Sequence, residues 1–151
     1  MDRRGIFGVF AAALVALPAG LRRAAAEDKK PHRVVLHVDQ NDPAVMNLAL
    51  NNASNVIEYY QARGEEVAIE IVAYSQGLHM LREDTSPVKD KIKELRKKLG
   101  TVAFAACGNT KGRMEETEGK KMTLIPEAVV VPAGVVRLME LQEQGWSYVK
   151  P

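Results

Sequence analysis

Arg33-Val-Val-Leu-His-Val38, then Asp39-Gln-Asn-Asp42, then Pro43-Ala-Val-Met-Asn-Leu-Ala-Leu50 decide the class of fold. The first stretch is rich in β-branched residues and almost continuously apolar, which suits a strand buried on both faces, as in a parallel sheet. The second is turn chemistry that ends on a helix cap: Asp42 can accept from the first free amides, and Pro43 suits the first helical position. The third begins a helix read over residues 43–63. Met46, Leu50, Ala53, Ile57 and Tyr60 recur at spacings of three and four and make one apolar face, and Gly64 is placed to end it.

The same alternation repeats outward. Residues 67–73 read as a second strand, 75–77 as a turn and 79–82 as a single helical turn. Pro87 opens a charged helix to Leu99, with Val88, Ile92, Leu95 and Leu99 as its buried stripe and its lysines as a solvated face. Residues 101–106 read as a third strand, 108–122 as a polar loop, 128–131 as a fourth strand, 134–143 as a last helix and 146–149 as a short last strand. Strands alternating with helices imply right-handed crossovers, and hence an α/β single domain with a mainly parallel sheet covered on both faces.

The chain has 151 residues, 46% hydrophobic and 26% charged, a composition that excludes disorder and fibrous repeats. Its first 26 residues read as a signal peptide: Arg3 and Arg4, an apolar run from Ile6 to Leu17, breaks at Pro18 and Gly20, and small residues Ala24-Ala-Ala26 before the expected cut. The run is too short for a permanent membrane anchor, which needs about 20 residues. The domain is then residues 27–151, exported to the periplasm or beyond by a Sec or twin-arginine route; an uncleaved membrane tether or a mis-called start site is the alternative. Loss of the leader takes the 21 basic and 19 acidic residues to 17 and 18, a net charge of −1. A nucleic-acid binder would carry a basic excess.

Cys107 is the chain's one cysteine, so it either bonds another molecule or stays a free thiol. It closes the third strand, at the end where open α/β sheets form their crevices. Gly108 lets backbone approach a ligand closely. The amides of Gly108, Asn109 and Thr110 could hold a thiolate or an anionic sulfur adduct, and Lys111 and Arg113 bring positive charge that favours the thiolate. A small buried hydrophobe at a strand end is the competing reading. Asn47, Asn51 and Asn55 share a helix face beside Asn52. They either fix neighbouring loops or line a subunit contact, or else form an exposed polar face. His32, His37 and His79 have no metal-ligand spacing and one cysteine completes no zinc site, so no metal is expected. His37 could reach the crevice, or simply satisfy a hydrogen bond. No Gly-rich nucleotide loop, serine elbow or Cys-x-x-Cys pair is present, and no cofactor is expected. Trp146 and Tyr148 belong to a terminal strand on the core or to a subunit interface.

His37-Val-Asp39, Leu50-Asn-Asn52 with Asn55, Ala106-Cys-Gly-Asn-Thr110, Val131-Pro-Ala-Gly-Val135 and Gln142-x-x-Gly-Trp-x-Tyr148 occur in this order and resemble the DsrE/DsrF-like family. The resemblance implies a flavodoxin-like three-layer α/β fold, assembly into homo-trimers or hexamers, and a link to sulfur metabolism. In the better-known relatives a cysteine carries sulfur as a persulfide, and that role falls on Cys107 alone. The expectation is an exported sulfur carrier of sulfurtransferase kind, which takes sulfane sulfur from a donor and passes it to a partner. Those better-known relatives are cytoplasmic, which separates them from a chain with a leader. The alternative is a non-catalytic oligomeric module that binds a small ligand or a protein and has a structural cysteine.

Overall fold

The computed structural model describes residues 31–100 and 102–151. The expected leader, residues 1–26, and Thr101 of the third strand lie outside the described residues. The strands are β1 (His32–Val38), β2 (Val67–Ala73), β3 (Val102–Cys107), β4 (Ala128–Val131) and β5 (Ser147–Val149), and the α-helices are α1 (Pro43–Gln61), α2 (Lys89–Leu99), α3 (Gly108–Glu118) and α4 (Gly134–Glu143). All pairings are parallel, in the order β4-β3-β2-β1-β5. This is a single α/β domain consistent with a flavodoxin-like fold.

The strand order explains the layers. From β1 to β4 each crossover steps one strand in the same direction, and right-handed crossovers then put α1, α2 and α3 on one face. The step from β4 back to β5 runs the other way and puts α4, alone among the described helices, on the opposite face. The larger core forms on the first face, where Leu36, Ile71 and Phe104 of the strands meet Leu50 and Ile57 of α1 and Ile92 of α2. On the second face α4 sets Leu138 and Leu141 against Val35, Val72 and Ala105, with Trp146 packed beside them. Glu70, buried on that face of β2, receives Arg137 of α4 through two bonds of 2.7 Å, a bidentate pair that fixes the helix on the sheet.

Helix α1 begins as expected: Asp42 accepts the Ala44 amide at 2.8 Å, with Pro43 beside the cap. It ends at Gln61, capped by Ala62, slightly short of the reading to residue 63. Met46, Leu50, Ala53 and Ile57 are buried, whereas Tyr60 is half-buried and stacks on His32 with ring centroids 3.8 Å apart. The asparagine face divides. Asn47 and Asn51 both accept from Lys91 of α2, at 3.0 and 2.7 Å, and so tie the two helices, while Asn55 is exposed. The turn and helical turn expected over 75–82 are one 3-10 helix, Ser75–Leu81, and α2 starts at Lys89, after Pro87.

The clear departure is the segment read as a polar loop over 108–122. Residues Gly108–Glu118 form α3, and this helix buries no side chain fully. It carries no apolar stripe, and polar pins hold it instead. Arg82, itself buried, donates to Glu118 and to both carboxylate oxygens of Asp84. Glu115 accepts from Lys111 at 2.6 Å and from the Met122 amide at 2.8 Å. At the other end the Ser75 amide donates to Thr110 Oγ1 at 3.0 Å and the Asn109 amide to the Pro132 carbonyl at 3.1 Å.

Candidate functional site

The connections leaving β3 and β4 diverge, one to α3 on the first face and the other to α4 on the second. Adjacent strands whose connections part in this way leave a crevice at their carboxyl ends. Cys107 ends β3 and pairs in register with Val131 at the end of β4. Its thiol, 5% exposed, lies in a cleft of about 190 Å³ with Tyr74, Thr110, Arg113, Gly134 and Val135 among the walls. The cleft is this small because Gly134 approaches closely. A Cβ there would sit 2.9 Å from Tyr74 Cβ and Cδ1 and 3.2 Å from Cys107 Cβ.

Cys107 is also the N-cap of α3: its Sγ accepts the Thr110 amide at 3.4 Å. Burial pushes the thiol pKa up. The Thr110 hydroxyl and the amides of Gly134, Thr110 and Asn109 outweigh it, and the net shift is downward. The Asn109 amide is donated to Pro132, which leaves the Thr110 amide as the direct backbone donor from α3. The Ser75 amide orients the Thr110 hydroxyl, and Ser75 has a left-handed backbone, φ 51°, a conformation uncommon outside glycine. A thiolate at a helix N-terminus with converging donors is a nucleophile and a holder of anionic sulfur.

The expected site residues do not all converge. Asn109, Thr110 and Arg113 line the cleft with Cys107. Gly108 does not line it and instead packs against the end of β4, where a Cβ would meet the Val131 carbonyl at 3.1 Å. Lys111 does not line the cleft and is paired with Glu115. Among the described residues no carboxylate pairs with Arg113, which makes it the available cation. Tyr74, Ser75 and Gly134 were not singled out by the sequence as site residues. Gly134 belongs to the Val131-Pro-Ala-Gly-Val135 block, but its place opposite Cys107 follows from strand order.

Beside this cleft, at the end of β1, His37 satisfies one nitrogen only. Its Nδ1 bonds the Tyr148 hydroxyl at 2.7 Å and its ring stacks on Tyr74. Nε2 is buried, without a hydrogen-bond partner among the described residues and 3.8 Å from Asp39, whose carboxylate is held by Lys150 at 2.7 Å. Burial keeps the imidazole pKa below its ordinary value, against the pull of Asp39. Tyr148 thereby lies on β5 against β1, as the terminal-strand reading expects. Among the described residues no group of three or more His, Cys, Asp or Glu could hold a metal ion, and no helix is long and apolar enough to cross a membrane.

Comparisons agree with this architecture. The solved structure of a protein of unknown function, MTH1491 from Methanobacterium thermoautotrophicum, is 35% identical, with a TM-score of 0.66 over 80% of this chain and 99% of that one. No curated protein matches. A model of the DsrE/DsrF-like family matches residues 33–151. That match covers the sheet from the second residue of β1 onward and the Cys107 crevice, and the chain belongs to the DsrE/DsrF-like family.

Proposed function

We propose that this protein carries sulfane sulfur as a persulfide on Cys107 and passes it to a partner thiol. Family membership suggests a sulfur-relay related function. The observation that carries the finer reading is the thiol itself, which caps α3 and faces convergent donors in the crevice between β3 and β4. The thiolate attacks the outer sulfur of a donor, the donor's own bond to that sulfur breaks and its remainder leaves with the electron pair as an anion, and the Thr110 and Gly134 amides stabilise the anionic persulfide left on Cys107. Arg113 supplies the positive charge, since Lys111 is engaged with Glu115. The protein acts outside the cytoplasm after loss of residues 1–26, and fractionation with N-terminal mass analysis tests that part.

The same reading includes assembly from identical copies. The outer edge of β4, which pairs with no further strand among the described residues, presents Val129, 66% exposed, and α4 presents Val135, Val136 and Met139, the last 54% exposed. Exposed apolar side chains beside an unpaired strand edge mark association surfaces. Light scattering of wild type beside Val129→Lys reads it, and a monomeric wild type would count against it.

Intact-mass analysis after incubation with inorganic polysulfide, beside Cys107→Ser, tests the carrier reading. The expected result is a gain of one or more sulfur atoms, reversed by reductant and absent from the variant. An unloaded but alkylatable Cys107 would leave the thiol as a helix cap and the protein as a binding module.

A further inference from the structure

Beside the thiol cleft lies a second depression of about 560 Å³, between α3 and the 3-10 helix Ser75–Leu81. Tyr74, Thr110 and Arg113 line both, so the two depressions share a wall. The larger part adds Ser75, Gln76, His79, Met114, Thr117 and Glu118, whose carboxylate is neutralised by Arg82. Its size is that of a small-molecule site, roughly 300–1,000 Å³, and exceeds what one transferred sulfur atom needs. Two of its polar groups are available. Arg113 has no carboxylate partner among the described residues, and His79 uses Nδ1 on Thr85 at 2.8 Å while its other ring nitrogen bonds no described residue. The left-handed Ser75 holds the junction through its amide bond to Thr110. Non-glycine backbone of this kind persists where surrounding structure enforces it, often at ligand clamps.

We infer that this groove binds the body of an organic persulfide, a small thiol-bearing peptide with a carboxylate, whose carboxylate meets Arg113 while its outer sulfur reaches Cys107. The inference rests on the carrier reading of Cys107 and names its donor class. In the step, the Cys107 thiolate forms a bond to the donor's outer sulfur and the donor's own S–S bond breaks. The electron pair leaves with the donor's inner sulfur, which departs as a thiolate. Cys107 sulfur is oxidised as the donor's inner sulfur is reduced, and no outside oxidant is needed.

The test compares loading from glutathione persulfide with loading from the persulfide of 2-mercaptoethanol, which has no carboxylate. Wild type is set beside Arg113→Gln and beside Thr117→Phe, which fills the far part of the groove away from the thiol. The expected result is faster loading from the peptide persulfide in wild type. Arg113→Gln should cut that preference roughly tenfold, as loss of a charged hydrogen bond does, and Thr117→Phe should lower it by filling space the peptide needs. Equal rates from both donors, or a preference that both variants keep, would overturn the groove assignment while leaving polysulfide loading, and so the carrier reading, intact. If polysulfide does not load Cys107, S-methylglutathione still reads the groove. Protection of Cys107 from alkylation in wild type but not in Arg113→Gln keeps it as a binding site, and no protection removes it.

Discussion

Arg137→Ala should be among the most damaging single changes on the α4 face. Glu70 sits on the second strand of the sheet with its side chain 8% exposed, and Arg137, 30% exposed, is its bidentate partner at 2.7 Å through each contact. Removal of the arginine leaves a carboxylate under α4 with neither charge nor hydrogen-bond compensation. Breaking a buried pair from one side costs about 3–5 kcal/mol, which for a domain of this size is a fall in Tm of roughly 10–20 °C. The reverse truncation, Glu70→Ala, should cost less, because the guanidinium already reaches water and can solvate itself. Replacement of both groups, as in Glu70→Met with Arg137→Met, removes the charges together and should recover most of the loss. Urea unfolding of the four proteins at neutral pH measures all three differences. The reasoning fails if Arg137→Ala costs under about 1 kcal/mol, or if the double variant is no more stable than Arg137→Ala. The cycle also bears on the thiol, because Arg137 anchors the helix whose first residue, Gly134, supplies an amide to Cys107.

Gly134→Ala should cost about 1–3 kcal/mol by overpacking, since its Cβ would stand 2.9 Å from the Tyr74 ring and 3.2 Å from Cys107 Cβ; thermal unfolding gives the loss, and a neutral effect would show that Tyr74 can step aside. The rate of Cys107 alkylation against pH should have its midpoint below the ordinary thiol value near ~8.5, because the Thr110 and Gly134 donors outweigh burial; Thr110→Val should move it upward, and an unmoved midpoint would contradict that balance. Helix α3 should loosen in acid before the sheet does. Glu115, held by Lys111 at about 2, and Glu118 and Asp84, held down by Arg82, all have lowered pKa values. Their stabilisation is complete above the unfolded carboxyl values near ~4 and is lost as pH falls from there toward and through the folded values. Hydrogen exchange at pH 3 should therefore show α3 amides opening ahead of β2 and β3, and uniform opening would refute it.

The sequence and the structure agree where burial dictates residue type. β1 to β3 cross the middle of the sheet with both faces covered, so their side chains are mostly apolar on both, with the hydrogen-bonded His37 and Glu70 as exceptions, and Val34 to Leu36 or Phe104 to Ala106 announce this without help. Helices α1 and α2 bury one stripe each, and Met46, Leu50, Ile92 and Leu95 show the period. Helix α3 could not be read in the same way. Gly108, Asn109, Thr110 and Gly112 are weak helix formers, and no apolar stripe compensates. Its position is set by Arg82, Ser75 and the Pro132 carbonyl, groups remote in the chain whose pairing becomes visible only when β2, β3 and β4 lie side by side.

The site divides along the same line. Cys107 could be singled out because it follows a strand, and Thr110 and Arg113 because they follow Cys107. The opposite wall is built by Tyr74 from the end of β2 and Gly134 from the end of β4, and no spacing in the chain relates these to the thiol. What relates them is the order β4-β3-β2, which sets Cys107 between its two neighbours' carboxyl ends. The reversal from β4 to β5 then sends α4 to the face opposite α3 and leaves the crevice open where the two connections part. The thiol's chemistry is thus a local property of β3 and the first turn of α3, whereas the shape of what can reach it is a property of the sheet. Substitutions in the Cys107–Thr110 turn should therefore change how strongly sulfur is held, and substitutions at Tyr74, Gly134 or the groove beyond Arg113 should change which donor delivers it.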